Sequence, residues 1–226
     1  MGLLSLAVWT PIVFGVVLLA LGRDEHAPAV RWIALIGAFV SLMVTLPIYS
    51  GFKLGTAAMQ FVEKAPWIDR FNVNYHLGVD GISLWLILLT AFINLIVVIA
   101  GWDVITKRVN QYMGAFMILS GLMIGVFCAL DGLLFYVFFE ATLIPMYLII
   151  GIWGGPNKIY AAFKFFLYTL LGSLLLLIAL IFLYTKSGGS FDLMTWYDLP
   201  LDGTTQTLIF FAFLAAFAVK VPMWPV

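Results

Sequence analysis

Seven stretches of this sequence are each long and apolar enough to cross a bilayer as a helix, and no other feature restricts the fold as strongly. A hydrocarbon core of about 30 Å takes about 20 residues at a rise of about 1.5 Å each. The runs lie at about 3–21, 30–50, 82–101, 112–130, 132–152, 160–184 and 206–225. Of the 226 residues, 64% are hydrophobic and 10% charged, more apolar side chain than a soluble interior of this size can hide. The spacing predicts an all-α, polytopic membrane protein with one membrane domain, 1–226, and the lipid bilayer as its main partner. No Lys or Arg precedes the first run, which is also too long for a signal-peptide core, so it reads as a span.

The links between runs carry helix-start and turn signals. Asp80-Gly81 and Asp131-Gly132 precede the third and fifth runs, and each Asp can cap free backbone N–H groups. Gly154-Gly155-Pro156-Asn157 closes the fifth. Residues 67–78, WIDRFNVNYHLG, alternate loosely and suit a short hairpin or a surface segment. The first, third and fifth loops are short and basic (Arg23, Arg31, Lys107, Arg108, Lys158). The second and sixth are longer, and their bases are diluted by Glu63, Asp69, Asp80, Asp192, Asp198 and Asp202. Cytoplasmic loops carry the excess of Lys and Arg, which places the N-terminus on the outer, periplasmic side. The chain ends VKVPMWPV at the edge of an apolar run, as expected of a piece of a longer chain.

Equal numbers of acidic and basic residues leave no net field for nucleic acid. The single cysteine, Cys128, excludes an internal disulfide and reads as a small buried hydrophobe. His26 and His76 fall in loops and read as solvated. No metal-ligand spacing, phosphate loop, nucleophile triad or dinucleotide fingerprint is present.

Three charges fall inside the runs: Glu140, Lys164 and Lys220. A charge near the bilayer centre costs about 2.5–3.5 kcal/mol even on insertion scales, and such residues mark ion paths. Glu140 lies about 10 Å into its helix, too deep for a short side chain to reach water. It is either a proton-exchanging carboxylate or a protonated acid holding two helices together. Pro145 removes a backbone N–H and frees the carbonyl of Ala141 beside it, which can bend the helix or admit water. Lys220 is followed at once by Pro222 and Pro225, which should break the seventh helix. Broken backbone at membrane depth is tolerated inside protein or beside a wet cavity, and ion sites are built there. The other role open to Lys220 is to neutralise a Glu. Lys164, in FKFFLY, can take part in the same path or snorkel to the surface. Tyr160 and Tyr168 share its face, and Thr169 and Ser173 read as helix-packing residues. A proton or cation carrier fits these parts. If Lys220 and Glu140 meet, the lysine holds the carboxylate ionised, and separating them lets a proton pass.

Four stretches carry a resemblance: GVDGIS (78–83), FYVFFEATLIPMYLIIGIWGG (135–155), KFFLYT (164–169) and AFAVKVPMWPV (216–226). Together they resemble the antiporter-like, proton-translocating membrane subunits of respiratory complex I, the NADH:quinone oxidoreductase. The resemblance is specific in the Glu140 helix and around Lys220, and weak in the first two spans. It implies the N-terminal half of an antiporter-like fold, with three helices in 1–110 and an incomplete first repeat in 111–226. It implies a discontinuous seventh helix, in line with Pro222 and Pro225. Glu140 and Lys220 match the family's paired glutamate and lysine, and Lys164 a further lysine near the cytoplasmic entrance. The implied partners are the other membrane subunits of the complex in a bacterial inner membrane. NADH, FMN, iron–sulfur clusters and quinone are implied to belong to other subunits. A subunit of an Mrp-type Na⁺/H⁺ antiporter or of a membrane-bound hydrogenase would share the Glu and the Lys. A scaffold whose buried charges only fix helix packing is the non-catalytic alternative.

Overall fold

The computed structural model describes residues 2–21 and 27–223. Arg23, His26 and Pro225 lie outside them. Its helices are α1 (Leu3–Ala20), α2 (Ala27–Ser50), α3 (Gly81–Val104), α4 (Val109–Cys128), α5 (Gly132–Ala141), α6 (Leu143–Trp153), α7 (Lys158–Lys186), the short α8 (Leu193–Tyr197) and α9 (Gly203–Lys220). Between α2 and α3, β1 (Gln60–Ile68) and β2 (Val73–Val79) pair as a hairpin. α5 and α6 together fill one span, so among the described residues seven helical spans are long and apolar enough to cross a membrane.

Side chains such as Val13, Ile36, Ile99, Leu171 and Ile178 are more than half exposed in the middle of these helices. In water such a surface would collapse or aggregate; in lipid it faces its proper solvent.

The chain divides into two compact units, 1–63 with 77–129, and 64–76 with 130–226. The first holds α1 to α4. Three glycines allow α1 and α4 to approach at backbone distance. A Cβ on Gly15 would stand 2.8 Å from the Gly114 carbonyl oxygen, one on Gly114 2.9 Å from that of Gly15, and one on Gly121 2.6 Å from that of Val8. Lipid tails give helices no hydrophobic reason to associate, so close van der Waals packing over small residues takes that role. Leu18, Val30, Ala34, Val98, Met113 and Met117 form a core beside this crossing. Asp80 caps α3 by accepting from the Ile82 and Ser83 N–H groups, and the Ser83 hydroxyl accepts in turn from the Asp80 N–H. Gly2 offers α1 no side-chain cap. Glu63, on β1, supplies one instead. Its carboxylate accepts from the Leu4 N–H at 2.7 Å, the Ser5 N–H at 3.2 Å and the Ser5 hydroxyl. A negative group there suits the positive end of the helix dipole.

The second unit holds the hairpin tip and α5 to α9. Asn72 closes the tip in the left-handed region, φ 51°, which an Asn side chain tolerates. The extended residues before α5 are pinned on two sides. Leu130 N–H donates to the His76 carbonyl at 2.8 Å, Gly132 N–H to that of Phe191 at 2.8 Å, and Leu193 N–H to that of Leu130 at 2.9 Å. α7 buries Thr169, Gly172, Ser173 and Leu176, and α9 packs on it. A Cβ on Gly172 would stand 3.0 Å from Val219.

One expectation needs correction: the fifth run is not one helix but two, broken at Thr142. The break expected of the seventh helix near Pro222 is present, since α9 ends at Lys220 and Pro222 lies in the turn beyond it.

Candidate functional site

The break in the fifth span has a local cause. Pro145 has no N–H, so the Ala141 carbonyl has no partner four residues on. Around the gap the ladder stretches. Thr142 N–H reaches the Phe138 carbonyl at 3.3 Å, and Met146 N–H reaches that of Thr142 at 3.4 Å. Thr142 turns its hydroxyl back onto the Phe139 carbonyl at 2.7 Å.

Lys220 meets this break. Its ammonium donates to the Phe139 carbonyl at 3.2 Å and to the Thr142 hydroxyl at 3.3 Å. It also stands 4.1 Å from the centroid of the Phe139 ring. Each contact suits a cation. The carbonyls at a helix C-terminus carry its partial negative charge, and an aromatic face attracts an ammonium. The sequence pointed to the Ala141 carbonyl as the exposed one; the lysine takes that of Phe139.

Glu140 follows Phe139 in sequence and lies between the two residues that hold Lys220. Glu140 and Lys220 nonetheless form no ion pair within 4.0 Å. Glu140 Oε1 is buried without a hydrogen-bond partner. The structure thus places Lys220 against the residues on either side of Glu140, with the lysine held at the helix break and one carboxylate oxygen, Oε1, without a partner.

Lys164 is not part of that cluster. It is exposed on the first turns of α7, its ammonium 5.9 Å from the Tyr160 ring centroid. Thr169 and Ser173 are buried and hydrogen-bond to carbonyls of their own helix, as packing residues do. Cys128 is fully buried, as expected.

A second polar cluster was not legible in the sequence. His76, expected to be solvated, is 7% exposed, with Nδ1 3.5 Å from Asp192 Oδ2. Lys64 pairs with the same oxygen at 3.1 Å. Burial lowers the His76 pKa, and Lys64 adds to that, while Asp192 and Asp131 oppose it. Asp131 is buried at 1% exposure and accepts from the N–H groups of Leu133, Leu134 and Asn74. Burial raises its pKa against those bonds. The cap on α5 was readable from Asp131-Gly132. The cluster was not, since its members lie up to 128 residues apart.

Two adjoining family models together match residues 29–226. Residues 29–129 match the amino terminus of NADH-ubiquinone oxidoreductase chain 4, and residues 129–226 the membrane region shared by NADH:quinone oxidoreductase and Mrp antiporters. Their junction coincides with the boundary between the two compact units in the helical part of the chain. NADH-quinone oxidoreductase subunit M of Rhodobacter capsulatus is 48% identical over 99% of this chain and 46% of its own length. The chain spans about half the length of the curated relatives it matches. A chain of respiratory complex I from Thermus thermophilus superposes with a TM-score of 0.85 at 31% identity, over 98% of this chain and 44% of that one. A chain of the Mrp complex from Dietzia shares the fold, with a TM-score of 0.82 at 19% identity over 96% of this chain and 23% of that one. Matched from residue 29 to residue 226 by adjoining models, and over nearly its whole length by a subunit M, the chain belongs to the NADH:quinone oxidoreductase/Mrp antiporter family of membrane proteins.

Proposed function

We propose that this chain forms the first half of a proton-translocating membrane subunit of an NADH:quinone oxidoreductase, coupling electron transfer from NADH to quinone to proton transport. The observation that carries the reading is that Lys220 binds a broken membrane helix through Phe139 and Thr142, the residues that bracket Glu140. Buried charges beside interrupted helices are how membrane proteins build ion paths. Here the lysine can hold or release a proton according to its distance from the carboxylate, so a change of distance moves protons. Lys164, exposed at the start of α7, would serve proton entry from the cytoplasm. Redox chemistry belongs elsewhere in this reading: NADH, FMN, iron–sulfur clusters and quinone sit on other subunits. The partners are the neighbouring membrane subunits, the location is a bacterial inner membrane, and the N-terminus is periplasmic. The subunit contributes to the enzyme as a translocase.

The shared fold with the Mrp chain supports a second reading, a cation-antiporter subunit. The higher identity to the complex I chain favours the first. The test is NADH-driven acidification of inverted membrane vesicles carrying the full-length protein or its Glu140→Gln variant, with assembly followed on native gels. The first reading expects the parent to acidify and the assembled variant to fail. Normal pumping by the variant would overturn the role of Glu140, and a parent indifferent to NADH would favour the antiporter.

A further inference from the structure

We propose that the helix break at Thr142 is a holding station for Lys220, with Thr142 as the positioning residue that keeps the lysine off Glu140. This rests on the proton-path reading of the pair and goes one step further. It assigns the lysine a second place to sit.

The geometry defines the station. A protonated amine has three N–H bonds and needs acceptors for them when it leaves water. The break supplies two, the Phe139 carbonyl at 3.2 Å and the Thr142 hydroxyl at 3.3 Å, and the Phe139 ring covers the ammonium from 4.1 Å. The Thr142 hydroxyl gives its proton to the Phe139 carbonyl at 2.7 Å, which leaves its lone pairs to accept from the lysine. The donor and acceptor directions are therefore consistent. Meanwhile Glu140 Oε1 is buried with no partner. An unpartnered carboxylate oxygen beside a lysine held elsewhere is one end of a two-position device. In the other position the ammonium returns to Glu140 and the station is vacated. The two places differ in kind: neutral acceptors and a π face at one, a full charge at the other. Thr142 tips this balance without itself carrying a proton across the membrane.

The test reads where the lysine sits. A membrane-permeant carbodiimide adds to a carboxyl group in its protonated, unpaired form and spares a carboxylate held by an ammonium. The assembled complex with the full-length subunit is treated with dicyclohexylcarbodiimide, and the adduct on Glu140 is quantified by peptide mass spectrometry. Thr142→Val keeps the shape of the side chain and removes the acceptor. Its Glu140 adduct is expected to fall about tenfold, the weight of one hydrogen bond to a charged group. Thr142→Ser, which keeps the hydroxyl, is expected to label as the parent does. Thr142→Val combined with Lys220→Ala removes the returning lysine and is expected to restore labelling. Equal labelling of parent and Thr142→Val would overturn the station, as would a loss that Lys220→Ala does not reverse. Pumping by Glu140→Gln is a separate result: it would remove the proton-path reading while leaving the labelling evidence for the station intact.

Discussion

The ammonium of Lys220 lies 4.1 Å above the ring of Phe139 and 3.2 Å from the carbonyl oxygen of the same residue. One residue thus offers the lysine both its π face and its backbone. Removing the charge should be costly to function and tolerable to the fold. Lys220→Met is expected to assemble and to lose NADH-driven acidification by at least about tenfold, as for a proton-transfer group. Lys220→Arg is expected to recover little of it. A guanidinium keeps its proton at any working pH and cannot fit the same three contacts as a compact ammonium. Vesicle acidification with assembly controls checks both.

The α1–α4 crossing has no room for side chains. A Cβ at position 121 would stand 2.6 Å from the Val8 carbonyl oxygen, a backbone atom that cannot swing aside. Gly121→Val is expected to destabilise the first unit by about 1–3 kcal/mol or more through overpacking. The amount of assembled protein in membranes, and its thermal unfolding midpoint in detergent, should fall together.

Asp131 satisfies three backbone N–H groups at the start of α5. Asp131→Ala leaves them without an acceptor in a place almost closed to solvent. The expected loss is about 2–4 kcal/mol, a lost cap plus the desolvation of a buried donor. Asp131→Asn keeps one carbonyl oxygen for the cap and is expected to lose less. Thermal unfolding in detergent distinguishes the two.

His76 should make the hairpin tip sensitive to acid. Burial is the main cause of its lowered pKa, helped by Lys64 and opposed by Asp192 and Asp131. A histidine with a lower pKa in the fold than in the open chain binds fewer protons when folded. Its contribution to stability is complete above the ordinary value of 6.5 and declines as the pH falls from there toward the lowered value. Asp131 has a raised pKa and acts in the opposite sense, its contribution being lost as pH rises through that value from the ordinary 3.8. Hydrogen exchange of residues 60–79, corrected for intrinsic rates, is expected to show weakening protection as pH falls below about 6.5. His76→Gln should flatten the response.

The sequence alone determined the number of spans and most of their ends, because the bilayer requires about 20 apolar residues from each helical span. It determined the caps at Asp80 and Asp131, since an Asp before a helix acts on its own next residues. It singled out Glu140, Lys164 and Lys220, because a charge in an apolar run is conspicuous wherever it points. Proline chemistry announced that the fifth span would be disturbed. Tertiary structure decided the rest. Which carbonyl the lysine takes depends on where α9 brings it, and that is Phe139, not Ala141. Whether His76 is wet or buried depends on Lys64, Asp131 and Asp192, which come from distant parts of the chain. Glu63 caps a helix that begins 60 residues earlier, at Leu3. Local sequence carries propensity, hydropathy and capping, which act over one or two turns. Hydrogen bonds and charges act through space, and only the packed helices set those distances.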